Sequence, residues 1–223
     1  MSVAVITIDG PSASGKSSVS RDLAAKLGWK WVSTGAFYRG LAWVAMKEKV
    51  EVTDVPKLVN LCSDPLWSVE MRDDKTAVIW RGSDVTDEVF SEAVGEKASQ
   101  VSQIQDVRKA LLQAQRNCAI GVLGLVAEGR DCGTVVFPQA VLKVFLTASQ
   151  EARALRRARE QGADVGKIQA SQTERDNQDS TRTAAPLQVP PDALVLDTDH
   201  LSLLEAVEKI HFDHRFFRRD IGS

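Results

Sequence analysis

The sequence predicts an α/β protein: a parallel sheet flanked by helices on both faces, built around a phosphate-binding loop and carrying a small antiparallel β insert. Three observations lead there. Short β-branched apolar runs alternate with stretches at helical spacing, the pattern of strands joined by crossover helices. The first run, Val3–Ile8, leads directly into Gly10-Pro-Ser-Ala-Ser-Gly15-Lys16-Ser17 and then a helix. Around residues 63–87 the periodicity changes from helical to strict alternation, which marks a strand unit with one wet face.

Taken in order, Val3–Ile8 reads as a strand buried on both faces and stopped by Asp9-Gly10-Pro11-Ser12. Lys16–Leu27 is helical, with Val19, Leu23, Ala24 and Leu27 in phase and Gly28 as its stop. Trp29–Val32 is a second strand. Thr34–Lys47 is a helix with Phe37, Leu41, Val44 and Ala45 as its apolar stripe. Leu66–Met71 and Thr76–Trp80 alternate around a turn at Asp73-Asp74-Lys75 and form the insert. Helical character returns from Glu88 to Ala119. Gly124–Ala127 and Val141–Leu146 are further buried strands. Ser149 is placed to cap a helix over Gln150–Gln161. Gly162–Gly166 breaks it, and Lys167–Asp176 is helical again. After a proline-marked loop, Ala193–Asp197 is the last strand, and the terminal helix carries Leu204, Val207, Ile210 and Phe216.

Composition narrows the function classes. Of 223 residues, 43% are hydrophobic and 26% charged, which suits one compact α/β unit with a lid or insert. A net charge of −2 argues against a surface that coats a nucleic-acid polymer, though not against a local basic pocket. Cys62, Cys118 and Cys132 are too few and too far apart for a disulfide framework or a zinc knuckle, so a reducing cytosol is expected. The N-terminus lacks the features of a signal peptide, and no stretch approaches the ~18 apolar residues of a membrane span. His211 and His214, three apart, suggest no third metal ligand and are expected to pack or face solvent. The five tryptophans are expected in the core and on the sheets.

The glycine loop carries the strongest chemistry. Backbone N–H groups must converge on phosphate oxygens, which demands turns that bulky residues forbid at Gly10 and Gly15. The following helix adds about half a positive charge at its N-terminus. Gly10, Pro11, Ser12, Ala13, Ser14, Gly15, Lys16, Ser17 and Ser18 are therefore the candidate triphosphate cradle for ATP. Lys16 would reach the β- and γ-phosphates, and the Ser17 hydroxyl would ligate Mg²⁺. Ala13 stands where glycine is frequent and is tolerable if its φ is negative. The loop alone does not say what accepts the phosphoryl group.

Three blocks supply that side. They are Thr34-Gly-Ala-Phe-Tyr38-Arg39, then Glu128-Gly-Arg130-Asp131-Cys-Gly-Thr-Val-Val-Phe-Pro138, and then Glu174-Arg175-Asp176 through Asp179 and Arg182 to Ala185-Pro-Leu187. In order and spacing, over nearly the whole chain, they resemble the bacterial cytidylate kinases. That resemblance implies a P-loop kinase core over residues 1–37, 120–148 and 183–223. It further implies a nucleoside-monophosphate region over 38–119 and an arginine-rich lid over 149–182. It implies a monomer that moves the γ-phosphoryl of ATP to CMP or dCMP, with no nucleic-acid polymer or membrane as partner.

Residue by residue, the resemblance puts Thr34, Arg39 and Arg130 at the acceptor nucleotide, with the two arginines on its phosphate. Forked guanidinium groups suit such a dianion. It puts Asp131 on the cytosine, helped by Ser99 and Arg108, which fits a carboxylate accepting from the N4 amino group. Arg175 and Asp179 match the pair near the sugar. Read alone, Arg39 could be a solvated helix arginine and Asp131 the N-cap of a turn. Ser33 departs from the family, which usually has Asp there.

Arg153, Arg156, Arg157 and Arg159 crowd one helix, the first three on roughly one face. A basic solvated or RNA-contacting helix is the bland alternative. In a P-loop kinase, Arg153, Arg157 and Arg182 would neutralise charge on the transferred group, with Gly162 and Gly166 as hinges. Competing readings are a kinase for UMP, dTMP or a non-nucleotide, and a nucleotide-dependent switch. The latter lacks an N-K-x-D guanine motif.

Overall fold

The computed structural model describes residues 3–162 and 164–220, without the side chains of residues 160, 161, 167, 171, 175 and 215–220. β1 (Ala4–Asp9), α1 (Lys16–Leu27), β2 (Lys30–Ser33) and α2 (Gly35–Lys47) come first, followed by α3 (Val55–Cys62). Next is the antiparallel unit of β3 (Trp67–Met71), β4 (Thr76–Trp80) and β5 (Ser83–Asp84). Three helices follow, α4 (Thr86–Val89), α5 (Glu92–Ser102) and α6 (Gln105–Asn117). β6 (Gly124–Gly129), a π-helical turn over Cys132–Val136 and β7 (Leu142–Thr147) return to the sheet. The chain ends with α7 (Gln150–Gln161), α8 (Val165–Thr181), β8 (Leu194–Asp197) and α9 (Leu203–Asp220).

The five-stranded sheet is parallel in the order β2-β6-β1-β7-β8. Successive strand residues point to opposite faces, and the core divides accordingly. Ile6, Ile8 and Val126 pack with Val19, Leu23 and Ile210 of α1 and α9. Val5, Leu125 and Ala127 face the other way, into a larger cluster with Leu41, Val94 and Leu111 of α2, α5 and α6. A separate small cluster, Ala154, Ala158 and Ile168, holds α7 against α8.

The antiparallel unit docks beside β2. Thr76 Oγ1 accepts from the Ser33 N–H at 2.9 Å, and the Trp31 indole donates to the Asp73 carbonyl at 3.2 Å. Trp43 and Trp80 meet edge to face at 5.2 Å. His214 is buried edge-on against Trp29, a packing role. Ser149 caps α7 through the Ala152 N–H, and Gly28 ends α1 in the left-handed conformation.

Three expectations need correction. The Val55–Cys62 helix was unforeseen, although Asp54 caps it through the Lys57 N–H and Pro56 sits in its first turn. Val55, Leu58, Val59 and Cys62 do fall at helical spacing, but eight residues are shorter than the stretch over which that period can be read. The helical stretch from Glu88 to Ala119 is three helices, because the chain restarts at Ser91 and again at Ile104. Ala13 has φ +56°, not a negative value. A left-handed alanine carries about 1–2 kcal/mol of strain, here held inside the phosphate loop.

Candidate active site

Strand register assembles the site. Asp9 lies beside Gly129, and Ser33 beside Glu128. The residues that follow, Gly10, Arg130 and Thr34, therefore leave the sheet side by side. Connections from β1 run toward β2 and those from β6 toward β7, so the strand ends open a crevice where the winding reverses. There, a cleft of about 500 Å³ is lined by the phosphate loop, the start of α2, parts of α5 and α6, and Arg157, Asp179 and Arg182. Among the described residues, six cations line it against three carboxylates, in a chain whose net charge is −2. A wider groove of about 700 Å³ along α8 has no cation among the described residues that line it.

On the donor side, Gly10 has φ +152°, and a Cβ there would meet the Leu146 carbonyl oxygen at 2.3 Å. No side chain caps α1, so its N-terminal N–H groups remain open for an anion. Lys16 is buried, and its Nζ donates to the Pro11 carbonyl at 2.6 Å. Burial and then the Arg130 charge pull its ammonium down to about 7. The Ser17 hydroxyl donates to Glu128 Oε1 at 2.9 Å.

On the other side, Arg108 and Asp131 form a buried pair at 2.5 Å. Asp131 makes no capping bond to the turn it precedes, so the N-cap alternative does not hold. Arg108 also donates to the Ser102 carbonyl and lies 5.2 Å from the Tyr38 ring centre. Arg130 bridges the two sides, donating from Nε to Asp179 at 2.6 Å and from Nη1 to the Gly10 carbonyl at 2.7 Å. Arg39 is partly buried, bonded to the Val89 and Ser91 carbonyls and set 5.2 Å from the Phe90 ring centre. Thr34 Oγ1 donates to the Glu128 carbonyl at 3.0 Å, and Ser99 donates to Gln178 at 2.5 Å.

The arginines of α7 part company. Arg157 lines the cleft, 3.9 Å from Glu92. Arg153 is buried beside the phosphate loop, donating to the Ser12 carbonyl at 3.2 Å and pairing with Asp176 at 2.6 Å. Arg156 instead binds Thr198, so the face shared by three arginines does not aim all three into one place. Arg182 is buried, holds the Ala185 carbonyl and lies 3.6 Å from Asp179. The side chain of Arg175 lies outside the described residues.

Four groups escaped sequence reasoning. Glu128 sat inside a motif already singled out, but only the register shows its carboxylate meeting Ser17. Asp9 read as a strand terminator, yet it is fully buried and accepts from the Cys132 and Gly133 N–H groups. Burial pushes its carboxyl up to about 6 against the pull of those two bonds. Tyr38 and Asp176 were visible as letters without partners.

A family model described as cytidylate kinase matches residues 6–214. A cytidylate kinase of Bdellovibrio bacteriovorus is 59% identical over 206 residues, covering 92% of this chain and 95% of the relative. One from Azotobacter vinelandii is 45% identical over 213 residues, covering 92% and 93%. Among solved structures, a gluconokinase from Sinorhizobium meliloti shares the fold with a TM-score of 0.54 at 16% identity, covering 98% of this chain and 95% of that one. With a triphosphate-type loop and an Arg–Asp pair sharing one cleft, and with relatives matching over nearly its full length, the chain belongs to the cytidylate kinase family.

Proposed function

We propose that this chain transfers the γ-phosphoryl group of ATP to CMP or dCMP, giving ADP and CDP or dCDP. The observation that carries the reading is the shared cleft: Lys16 and the open end of α1 face Arg130, and beyond it the Arg108–Asp131 pair. Residues 10–18 hold the triphosphate. Arg39 and Arg130 hold the acceptor phosphate, Thr34 closes that end, and Asp131 with Arg108 and Ser99 reads the cytosine edge. Asp179 and Arg175 serve the sugar.

The acceptor oxygen is already ionised near neutral pH, so the reaction forms one P–O bond, breaks another and needs no general base. This chain's residues position the two nucleotides in line and stabilise charge on the transferred group. Lys16, Arg153, Arg157 and Arg182 do the latter. For Arg153 this requires release from Asp176 as the phosphates arrive.

Ser17 and Glu128 offer a hydroxyl and a buried carboxylate beside the phosphate cradle, the hard oxygen donors that suit Mg²⁺. Mg²⁺ bound there with ATP would neutralise phosphate charge. Among the described residues no three His, Cys, Asp or Glu side chains converge as a metal cage, which fits an ion held largely by the nucleotide.

We take residues 1–37, 120–148 and 183–223 as the core, 38–119 as the acceptor region and 149–182 as the lid; the small cluster between α7 and α8 supports the last of these, whereas the first boundary falls within α2. Net charge −2 with cations gathered in one cleft favours small nucleotides over polymers. Among the described residues no helix is long and apolar enough to cross a membrane. A cytoplasmic monomer is our reading, the compartment resting on three free cysteines. An ATP-coupled assay across CMP, dCMP, UMP, dTMP, AMP and GMP tests the proposal. Cytidylates should lead, and a faster reaction with UMP or dTMP would overturn it.

A further inference from the structure

The carboxylate of Asp9 has no place in the phosphate chemistry just described, yet it is fully buried at the end of the central strand. Such burial is unfavourable unless the carboxylate is hydrogen-bonded. Here both oxygens are used on one loop: Oδ1 accepts from Cys132 N–H at 2.8 Å and Oδ2 from Gly133 N–H at 2.7 Å. Those two amides directly follow Arg130 and Asp131. Arg130 in turn reaches back to the carbonyl of Gly10, the residue after Asp9, at 2.7 Å. Three bonds thus stitch the first residues of the donor loop to the acceptor-reading loop.

We propose that Asp9 is a positioning residue that sets the cytosine-reading loop at a fixed height above the phosphate-binding loop, through its two-pronged grip on the Cys132 and Gly133 amides. The inference rests on the cytidylate reading and adds a specificity determinant to it. A carboxylate is required because it offers two acceptors. Asparagine offers one, and its amide would face the second N–H donor to donor. The loop must then shift, carrying Asp131 and its partner Arg108 with it, while the backbone amides at the start of α1, from Lys16 onward, keep their place.

The test is steady-state kinetics of Asp9→Asn with ATP against CMP and UMP. At least a tenfold rise in KM for CMP is expected, with the CMP-over-UMP preference falling by a similar factor and KM for ATP within about threefold of wild type, the size of effect lost with one hydrogen bond to a charged group. Equal loss of kcat for both acceptors with unchanged KM values, as from a smaller folded fraction, would overturn the proposal. So would parallel rises in KM for CMP and ATP.

Gly133→Ala provides a second route. Its Cβ would meet Thr7 Oγ1 at 2.8 Å and Asp9 Oδ2 at 3.3 Å, pushing the loop off an intact carboxylate. The same selective loss is expected and the same outcomes refute, so this variant decides if Asp9→Asn does not fold. A wild type without cytidylate preference would instead refute the substrate reading, whatever the variants do.

Discussion

Asp131→Ala separates recognition from phosphoryl transfer. The substitution removes one half of an ion pair at 2.5 Å whose side chains are 8% and 7% exposed. Breaking a buried pair commonly costs about 3–5 kcal/mol, because the surviving charge stays buried. Arg108 keeps the Ser102 carbonyl at 3.2 Å and the Tyr38 ring, and it borders a cleft open to water. The expected stability loss is therefore nearer about 2–3 kcal/mol, or roughly 4–12 °C in Tm for a chain of this size. Recognition should suffer on a separate scale. A carboxylate accepting from the cytosine amino group discriminates by about 1–3 kcal/mol, which is a factor of about 5–150. The assay is CDP and UDP formation, separated by chromatography, with CMP and UMP in competition at saturating ATP, alongside a thermal melt. The CMP:UMP ratio should fall by that factor, with KM for ATP little changed. An unchanged ratio, or equal losses for CMP and ATP, would refute the assignment of Asp131.

Further outcomes follow from the same geometry. Lys16→Ala should lower kcat by at least about 10³-fold with the fold intact by circular dichroism, since Lys16 is the ammonium at the phosphate cradle. Glu128→Gln should raise the Mg²⁺ concentration for half-maximal rate about tenfold or more, read from a Mg²⁺ titration. Arg157→Ala should depress kcat by about 10²-fold or more, whereas Arg156→Ala, bound to Thr198 instead, should stay within a few-fold. The Asp9 carboxyl, held at about 6 against 3.8 in the unfolded chain, binds more protons when native. Its contribution to stability therefore falls as pH rises from about 4 to 6, by about 3 kcal/mol. Urea melts should show wild type losing about 3 kcal/mol relative to Asp9→Asn between pH 4 and pH 7.

Much of this molecule was legible because its signals are local. A β-branched run followed by Gly10 through Ser17 dictates strand, loop and helix within one stretch of chain. Gly28 and Ser149 end and begin helices by the conformations and caps their own side chains allow. The acceptor motif could be recognised as letters for the same reason: its residues are contiguous. What stayed hidden was decided by register and by partners distant in the chain. Glu128 meets Ser17 across 111 residues, and Asp9 meets Cys132 across 123. Neither pairing has a period or a spacing that a linear reading can detect. Arg153, Arg156 and Arg157 look equivalent on a helix, and only the packing of α7 against Thr198 and Ser12 sends them to different tasks. Even the strain at Ala13 follows this division. Alanine prefers negative φ in isolation, and only the closure of the loop over the sheet holds it at +56°. Composition and local periodicity thus determined which elements form and which chemistry is available. Parallel strand register, a property of the folded sheet, decided which groups face one another.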